Sequence, residues 1–274
     1  MNIEFKELII EGKEFVKLDY KNRKLEDVEF HNTKFEKVDF SECIFQDVEL
    51  NKIEAIEVDF SKCKMESNQL EFRGRFDKCN FENTELNYLQ IRYSEFENNN
   101  FQNLVSKYSS FSASGLKNND FSRSALYEFS FWGKVLMNNK FVNAKLDCGG
   151  FHSIQFENND FTGVTFKGYS WCDSSCKKDI LKNSIIEYAC NENTIYTECY
   201  FDNAKIVKTD FDECQFIDDD FSNTEMVDTN FDKCIFKNID FTSMKYENVT
   251  FKDCQFENVI FTEQQKKDLG LNDF

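Results

Sequence analysis

The chain has 274 residues with 33 Lys and Arg against 50 Asp and Glu, a formal net charge of −17, which argues against nucleic acid or an anionic membrane surface as a partner. Thirty-two Phe and no Pro suit a backbone committed almost throughout to hydrogen-bonded ladders, because Pro cannot donate to one. No apolar run approaches the ~18 residues of a membrane span, and the opening MNIEFKELIIEG lacks a basic n-region and a long apolar stretch, so a cytoplasmic protein is expected.

Phe5, Ile10 and Phe15 fall five apart, but Lys13 and Arg23 stand two residues before apolar positions. Residues 1–19 are therefore expected to form an irregular N-terminal cap. From Tyr20 the beat of five is unbroken through Leu25, Phe30, Phe35, Phe40, Phe45 and Leu50. After one extra residue near Gly74 it resumes at Phe76, Phe81, Leu86, Ile91, Phe96 and Phe101 and runs to Phe261. On a helix a step of five turns the marked residue by ~140° each time, and on a flat strand it alternates faces. A chain that turns a corner once per repeat keeps the fifth residue pointing inward, which defines a solenoid.

Every twentieth residue gives Tyr20, Phe40, Phe60, Phe81, Phe101, Phe121, Phe141, Phe161, Leu181, Phe201, Phe221, Phe241 and Phe261. The next column is mixed: Leu25, Phe45, Met65, Leu86, Ser106, Leu126 and onward. Four pentapeptides per coil, stacking like on like, account for both columns. Twelve coil intervals lie between Tyr20 and Phe261, a length on the order of 58 Å at ~4.8 Å per strand.

Around each Phe, marked i, recur a small or apolar residue at i−2, Asp or Asn at i−1 and Ser or Thr at i+1, as in Val38-Asp39-Phe40-Ser41, Val58-Asp59-Phe60-Ser61 and Ile239-Asp240-Phe241-Thr242. This pattern resembles the pentapeptide-repeat family over residues 20–261. The resemblance implies an all-β fold, a right-handed quadrilateral β-helix with i and i−2 inside and the other three positions outward. The handedness comes from the resemblance alone.

Three breaks interrupt the pattern. Glu71-Phe72-Arg73-Gly74-Arg75 is one residue too long, and its Gly can accommodate a bulge. Trp132-Gly133-Lys134 places Lys134 at an inward i−2 position, from which its ammonium should snorkel out. Between Tyr169 and Thr197 the interior positions become Trp171, Cys176 and Asn191; two distorted coils are expected there, and Asn191 needs partners inside. After Phe261, Thr262-Glu263-Gln264-Gln265 reads as a capping box opening a short helix that Gly270 ends. Residues 262–274 are expected to form a C-terminal cap, and Leu269, Leu271 and Phe274 are candidate dimerisation residues, because in gyrase-protecting relatives this region joins two molecules.

Catalytic constellations are absent from the sequence. His31 and His152 both fall at outward i+1 positions in distant repeats, and no phosphate loop, HExxH or GxSxG occurs. Cys43, Cys63, Cys79, Cys199, Cys214, Cys234 and Cys254 occupy i−2 and read as buried thiols. Cys172, Cys176 and Cys190 lack a fourth ligand at zinc spacing. Neither a cofactor nor a metal is expected, and the protein is read as a non-enzyme.

Residues 202–261 carry 14 Asp and Glu against 6 Lys. Asp120, Asp160, Asp220 and Asp240 belong to the i−1 column, and Glu213, Asp218 and Asp219 add to it; these seven are the candidate partner-binding residues, read as outward. Qnr-type quinolone-resistance proteins, which the repeats resemble, imply a DNA mimic that binds type II topoisomerase, gyrase or topoisomerase IV, with possible fluoroquinolone protection. B-DNA of the same length would carry ~34 charges at one per ~1.7 Å, about twice the net charge here. Asp at i−1 also serves its own turn by bonding the backbone two residues on. The primary expectation is an acidic solenoid presenting a rigid surface to a protein partner; the alternative is the topoisomerase-binding mimic.

Overall fold

A computed structural model describes residues 4–66 and 71–271, in two compact units of residues 1–141 and 142–274. In both, short parallel strands pair with the strand one coil later, so each unit is a quadrilateral β-helix.

Unit 1 begins in register. Strand Glu4–Glu11 pairs with Lys24–His31, setting Phe5 beside Leu25 and Ile10 beside Phe30, and Glu14–Val16 pairs with Lys34–Glu36. The expected irregular cap is instead a regular coil. Lys13 and Arg23 do not disrupt it because the ladder uses their carbonyls: Lys34 N–H donates to Lys13 O and Ile44 N–H to Arg23 O, both at 2.9 Å. The Lys13 side chain is exposed.

The corners fall at i+2. Asn22, Asp27, Asn32 and Lys37 have φ of 51–60°, and the same left-handed turn recurs at almost every fifth residue. Such a conformation is unfavourable for a residue with a Cβ. It persists because its N–H is used: Asn22 N–H donates to Ser41 O and Asn32 N–H to Asn51 O, both at 3.0 Å.

The break near Gly74 differs from the sequence reading. Phe45 pairs with Met65, 20 residues on, but Leu50 pairs with Phe72, 22 on, and Ile53 with Gly74, 21 on. The added length therefore lies between Met65 and Phe72, a stretch that includes the undescribed residues 67–70. One residue is then lost between Phe72 and Phe76, where strand Glu71–Asp77 runs straight through a corner. Gly74 is required there because a Cβ would lie 2.2 Å from the carbonyl oxygen of Ile53. Phe72, two residues later than the count of five would place it, is the buried ladder residue.

Ring stacking fills the interior. Phe81, Phe101, Phe121 and Phe141 follow at centroid distances of 4.7, 4.5 and 4.9 Å, nearly parallel. In unit 2, Phe201 and Phe221 stack at 4.7 Å. The stretch 169–197 is regular, not distorted: Phe151 pairs with Trp171, Cys172 with Glu192 and Ser175 with Ile195, each 20 residues on. Asn191 keeps the register, its Oδ1 accepting the Trp171 N–H at 2.9 Å, while its Nδ2 is buried without a hydrogen-bond partner. Tyr169 fits fully buried at i−2 because its ladder neighbour is Gly149.

Unit 2 ends in the helix Glu263–Asp268 with the expected capping box, Thr262 Oγ1 accepting from Gln265 N–H at 3.1 Å and Gln265 Oε1 from Thr262 N–H at 2.7 Å. Gly270 follows with φ 71°. Leu269 and Leu271 are half-buried, and Phe274 lies outside the described residues.

Candidate interaction surfaces

The acidic candidates divide by what holds them. Oδ1 of Asp120, Asp160, Asp220 and Asp240 accepts the N–H of Ser122, Thr162, Ser222 and Thr242 at 2.8–2.9 Å. These carboxylates are turn elements first. Their column is also interrupted, by Asn80, Asn100 and Lys140 in unit 1 and by Ile180 and Tyr200 in unit 2. Glu213 is exposed and paired with Lys233 at 3.1 Å, and exposed Asp218 accepts from Asn238 Nδ2 at 2.7 Å.

Asp219 corrects the outward reading, because it is 5% exposed. It precedes Phe221 by two and so takes the inward position; the count of five already placed it there. Nearby lysines stack on acids one coil away, Lys205 on Glu225 at 3.0 Å, Lys237 on Glu257 at 2.9 Å and Lys252 on Asp232 at 2.9 Å. Part of the local negative charge is thereby compensated.

A second surface was missed in the sequence. Tyr88, Tyr93, Tyr108, Tyr127 and Trp132 in unit 1 are 37–68% exposed. All five fall at i+1 or i+2, outward by the same count, which was the available signal. The strands among them present Gln90, Arg92, Ser110, Ser112 and Ser130; no carboxylate lies between Asn87 and Tyr93 or between Ser106 and Ala113, and exposed Glu128 is the one between Tyr127 and Trp132. Tyr88 and Tyr108 stack at 5.2 Å, and Arg73 lies over the Tyr93 ring at 5.5 Å. Lys134 is exposed, as expected, and its ammonium pairs with Glu95. Tyr93, Ala113, Gly133 and Lys134 line a shallow depression.

Among the described residues one group, Glu29, His31 and Glu49, brings potential metal ligands within 4.8 Å of one another. The ring already has neighbours, Glu29 at 2.9 Å from Nε2 and Asn51 at 3.3 Å from Nδ1. The inward thiols of Cys43, Cys63, Cys79, Cys199, Cys214 and Cys234 are free and buried, while Cys254 is half-buried. Burial pushes Cys43 up to about 11 and Cys79 to about 12. Cys148 and Cys190 are exposed. No helix among the described residues is long and apolar enough to cross a membrane.

Twenty-residue coils, inward residues at i and i−2 and left-handed corners at i+2 define a pentapeptide-repeat solenoid. Family models agree: "Pentapeptide repeats (8 copies)" matches residues 24–61 and "Pentapeptide repeat region" matches residues 194–270. Over these residues the chain is pentapeptide-repeat sequence. No curated protein matches it by sequence. Similar solved structures include trypsin-treated QnrB1, a plasmid-mediated fluoroquinolone resistance protein, at 13% identity and TM-score 0.46, covering 66% of this chain and 88% of that one. HetL, a pentapeptide repeat protein involved in heterocyst differentiation regulation from the cyanobacterium Nostoc sp. strain PCC 7120, is 10% identical with TM-score 0.33, covering 94% and 91%.

Proposed function

We propose that this protein is a non-enzymatic interaction module that engages a protein partner through the aromatic face of unit 1. The observation that carries this reading is the group of five exposed aromatic side chains among serines, Gln90 and Arg92, on a stretch poor in carboxylates in an otherwise acidic chain. Tyr and Trp offer large contact area with few rotatable bonds, and with Arg they dominate protein recognition energetics. A net charge of −17 favours a neutral or basic partner surface. The test is a quantitative affinity capture with wild-type protein and Tyr93→Ala/Trp132→Ala. A partner retained by the first and lost by the second supports the reading; an unchanged set of captured proteins overturns it.

The alternative is a DNA mimic that acts on gyrase or topoisomerase IV through the acidic wall of unit 2, supported by Glu213, Asp218, Asp220 and Asp240. A supercoiling assay with purified gyrase, with and without a fluoroquinolone, distinguishes the two. Inhibition or protection that is lost in Glu213→Lys/Asp218→Lys favours mimicry, and no effect of the wild type removes it. Leu269 and Leu271, with Phe274, remain the proposed contacts of a homodimer. Unchanged mass in light scattering after removal of residues 263–274 would reduce that segment to a cap.

A further inference from the structure

The i−2 position before Asp120 and its equivalents faces inward, and in unit 1 three successive occupants are the buried asparagines Asn99, Asn119 and Asn139. Their amides form a continuous chain. Oδ1 of Asn119 accepts the N–H of Asn99 at 3.0 Å and its Nδ2 at 2.9 Å, while Nδ2 of Asn119 donates to Oδ1 of Asn139 at 3.0 Å and to the carbonyl oxygen of Phe96 at 3.0 Å. Asn99 and Asn139 donate likewise to the carbonyls of Phe76 and Leu116. Each side chain thus accepts through one atom and donates through the other to the carbonyl 23 residues back. Thr224 and Cys63 obey the same rule, donating to Phe201 O and Phe40 O at 3.0 Å.

Unit 2 places carboxyl groups at this position. Asp179, 1% exposed, copies the accepting half of the pattern: its Oδ1 takes the N–H of Asn159 at 2.7 Å and its Nδ2 at 2.9 Å. Its Oδ2 is left for the donating half and is buried without a well-formed hydrogen bond, although the backbone N–H of Lys177 lies near enough to the carboxyl to favour its charged form. By the rule of 23 residues the group it should meet is the Phe156 carbonyl. An anionic oxygen is repelled by that acceptor, whereas an O–H donates to it. One coil beyond Cys199, Asp219 accepts the N–H of Cys199 at 2.7 Å and of Ile217 at 3.0 Å.

We propose that Asp179 is held in the folded protein as a neutral carboxylic acid, its O–H replacing the amide donor of an asparagine, and that it makes this wall of unit 2 a pH-sensitive element, tight when protonated and loosened when ionised. Burial pushes Asp179 up to about 7 and Asp219 up to about 8, against the hydrogen bonds that each accepts. The charges that bear on them are like charges, Glu157 on Asp179 and Asp218 on Asp219. The other titratable side chains on the same wall, Cys176, Cys199 and Tyr196, are themselves raised by burial and stay neutral. Because both carboxyls bind protons more tightly folded than unfolded, stability is greatest on the acid side and falls as pH rises from the ordinary carboxylate range through about 7 and about 8. Asp219 lies between outward Asp218 and half-buried Asp220, so its ionisation would disturb the corner that presents both.

The test uses the full chain in urea at about pH 5 and about pH 8, between which the Asp179 contribution to the folding equilibrium constant should fall on the order of a hundred-fold. Asp179→Asn should match wild type at the lower pH, exceed it at the higher, and lose its share of the slope. An unchanged slope, or lower stability than wild type at the higher pH, overturns the proposal. Infrared spectroscopy decides independently of any variant's folding. The carbonyl stretch of a buried, protonated carboxylic acid should be present in the wild type just below neutral pH, and its absence there overturns the proposal.

Discussion

The first coil of unit 1 and the last coil of unit 2 carry the same apolar pattern and are finished differently. Phe5, Ile10, Phe15 and Tyr20 are half-buried and line a hollow with Leu25, Phe30, Phe35 and Phe40. No described element covers its outer edge. At the last coil, helix Glu263–Asp268 lies beside the interior and Gln265, 3% exposed, donates from Nε2 to the Phe241 carbonyl at 2.7 Å. Tyr246 reaches the same helix through Asp268 at 2.9 Å, and Phe261 is buried where Tyr20, in the same column, is not, while Tyr246, Phe251 and Phe256 stay half-buried. A buried polar side chain that satisfies a backbone carbonyl closes the corner at Phe261; the corresponding corner at Tyr20 is left open.

The contrast implies an order of effects. Phe121→Ala, in the closed middle of unit 1 between Phe101 and Phe141, should lose ~3–5 kcal/mol of stability; a loss under ~1 kcal/mol in denaturant titration would mean the rings are not packed as described. Asp219→Lys should destabilise by about 3 kcal/mol or more, through an unpaired buried charge, while exposed Asp218→Lys next to it changes stability by under ~0.5 kcal/mol. Equal effects of these neighbours would restore the outward reading of Asp219.

At the capped coil, Gln265→Ala removes a donor from a buried carbonyl and should lose about 1–3 kcal/mol. Phe15→Ala in the open coil should lose less than that, because part of its ring already meets water. Hydrogen exchange would sharpen the comparison: amides of the first coil should exchange before those of the coil ending at Phe261. The smallest effect is kinetic. Cys148 and Cys190 should react with a thiol reagent ahead of half-buried Cys172 and Cys254, and Cys214 and Cys234 should be slowest. Uniform rates would contradict inward packing at i−2.

Much of this was legible because a period of five marks side-chain direction directly. The ladders, the inward thiols, the escape of Lys134 and the capping box at Thr262 all follow from counting. Where the reading failed, the count was set aside or could not carry the answer. Asp219 was taken as outward because of its charge, although its place in the repeat pointed in. The exposed aromatics of unit 1 stand out less than the acids in composition, yet Tyr93 and Trp132 occupy outward positions by the same rule.

What the sequence by itself determined is the direction of nearly every side chain, since one residue in five turns the corner and the rest inherit their orientation from it. Register across a length change was decided only in three dimensions. Whether Phe72 or its neighbours enter the ladder depends on which corner is lost, and Gly74 permits that loss through its approach to the Ile53 backbone. Regularity at Lys13, Arg23 and Asn191 was likewise a tertiary outcome, because the interlayer bonds use backbone N–H and C=O groups that every residue other than proline supplies. The state of Asp179 belongs to the same class: composition counts a negative charge, and only the packed wall, with an acceptor expected opposite the buried Oδ2, favours a proton there.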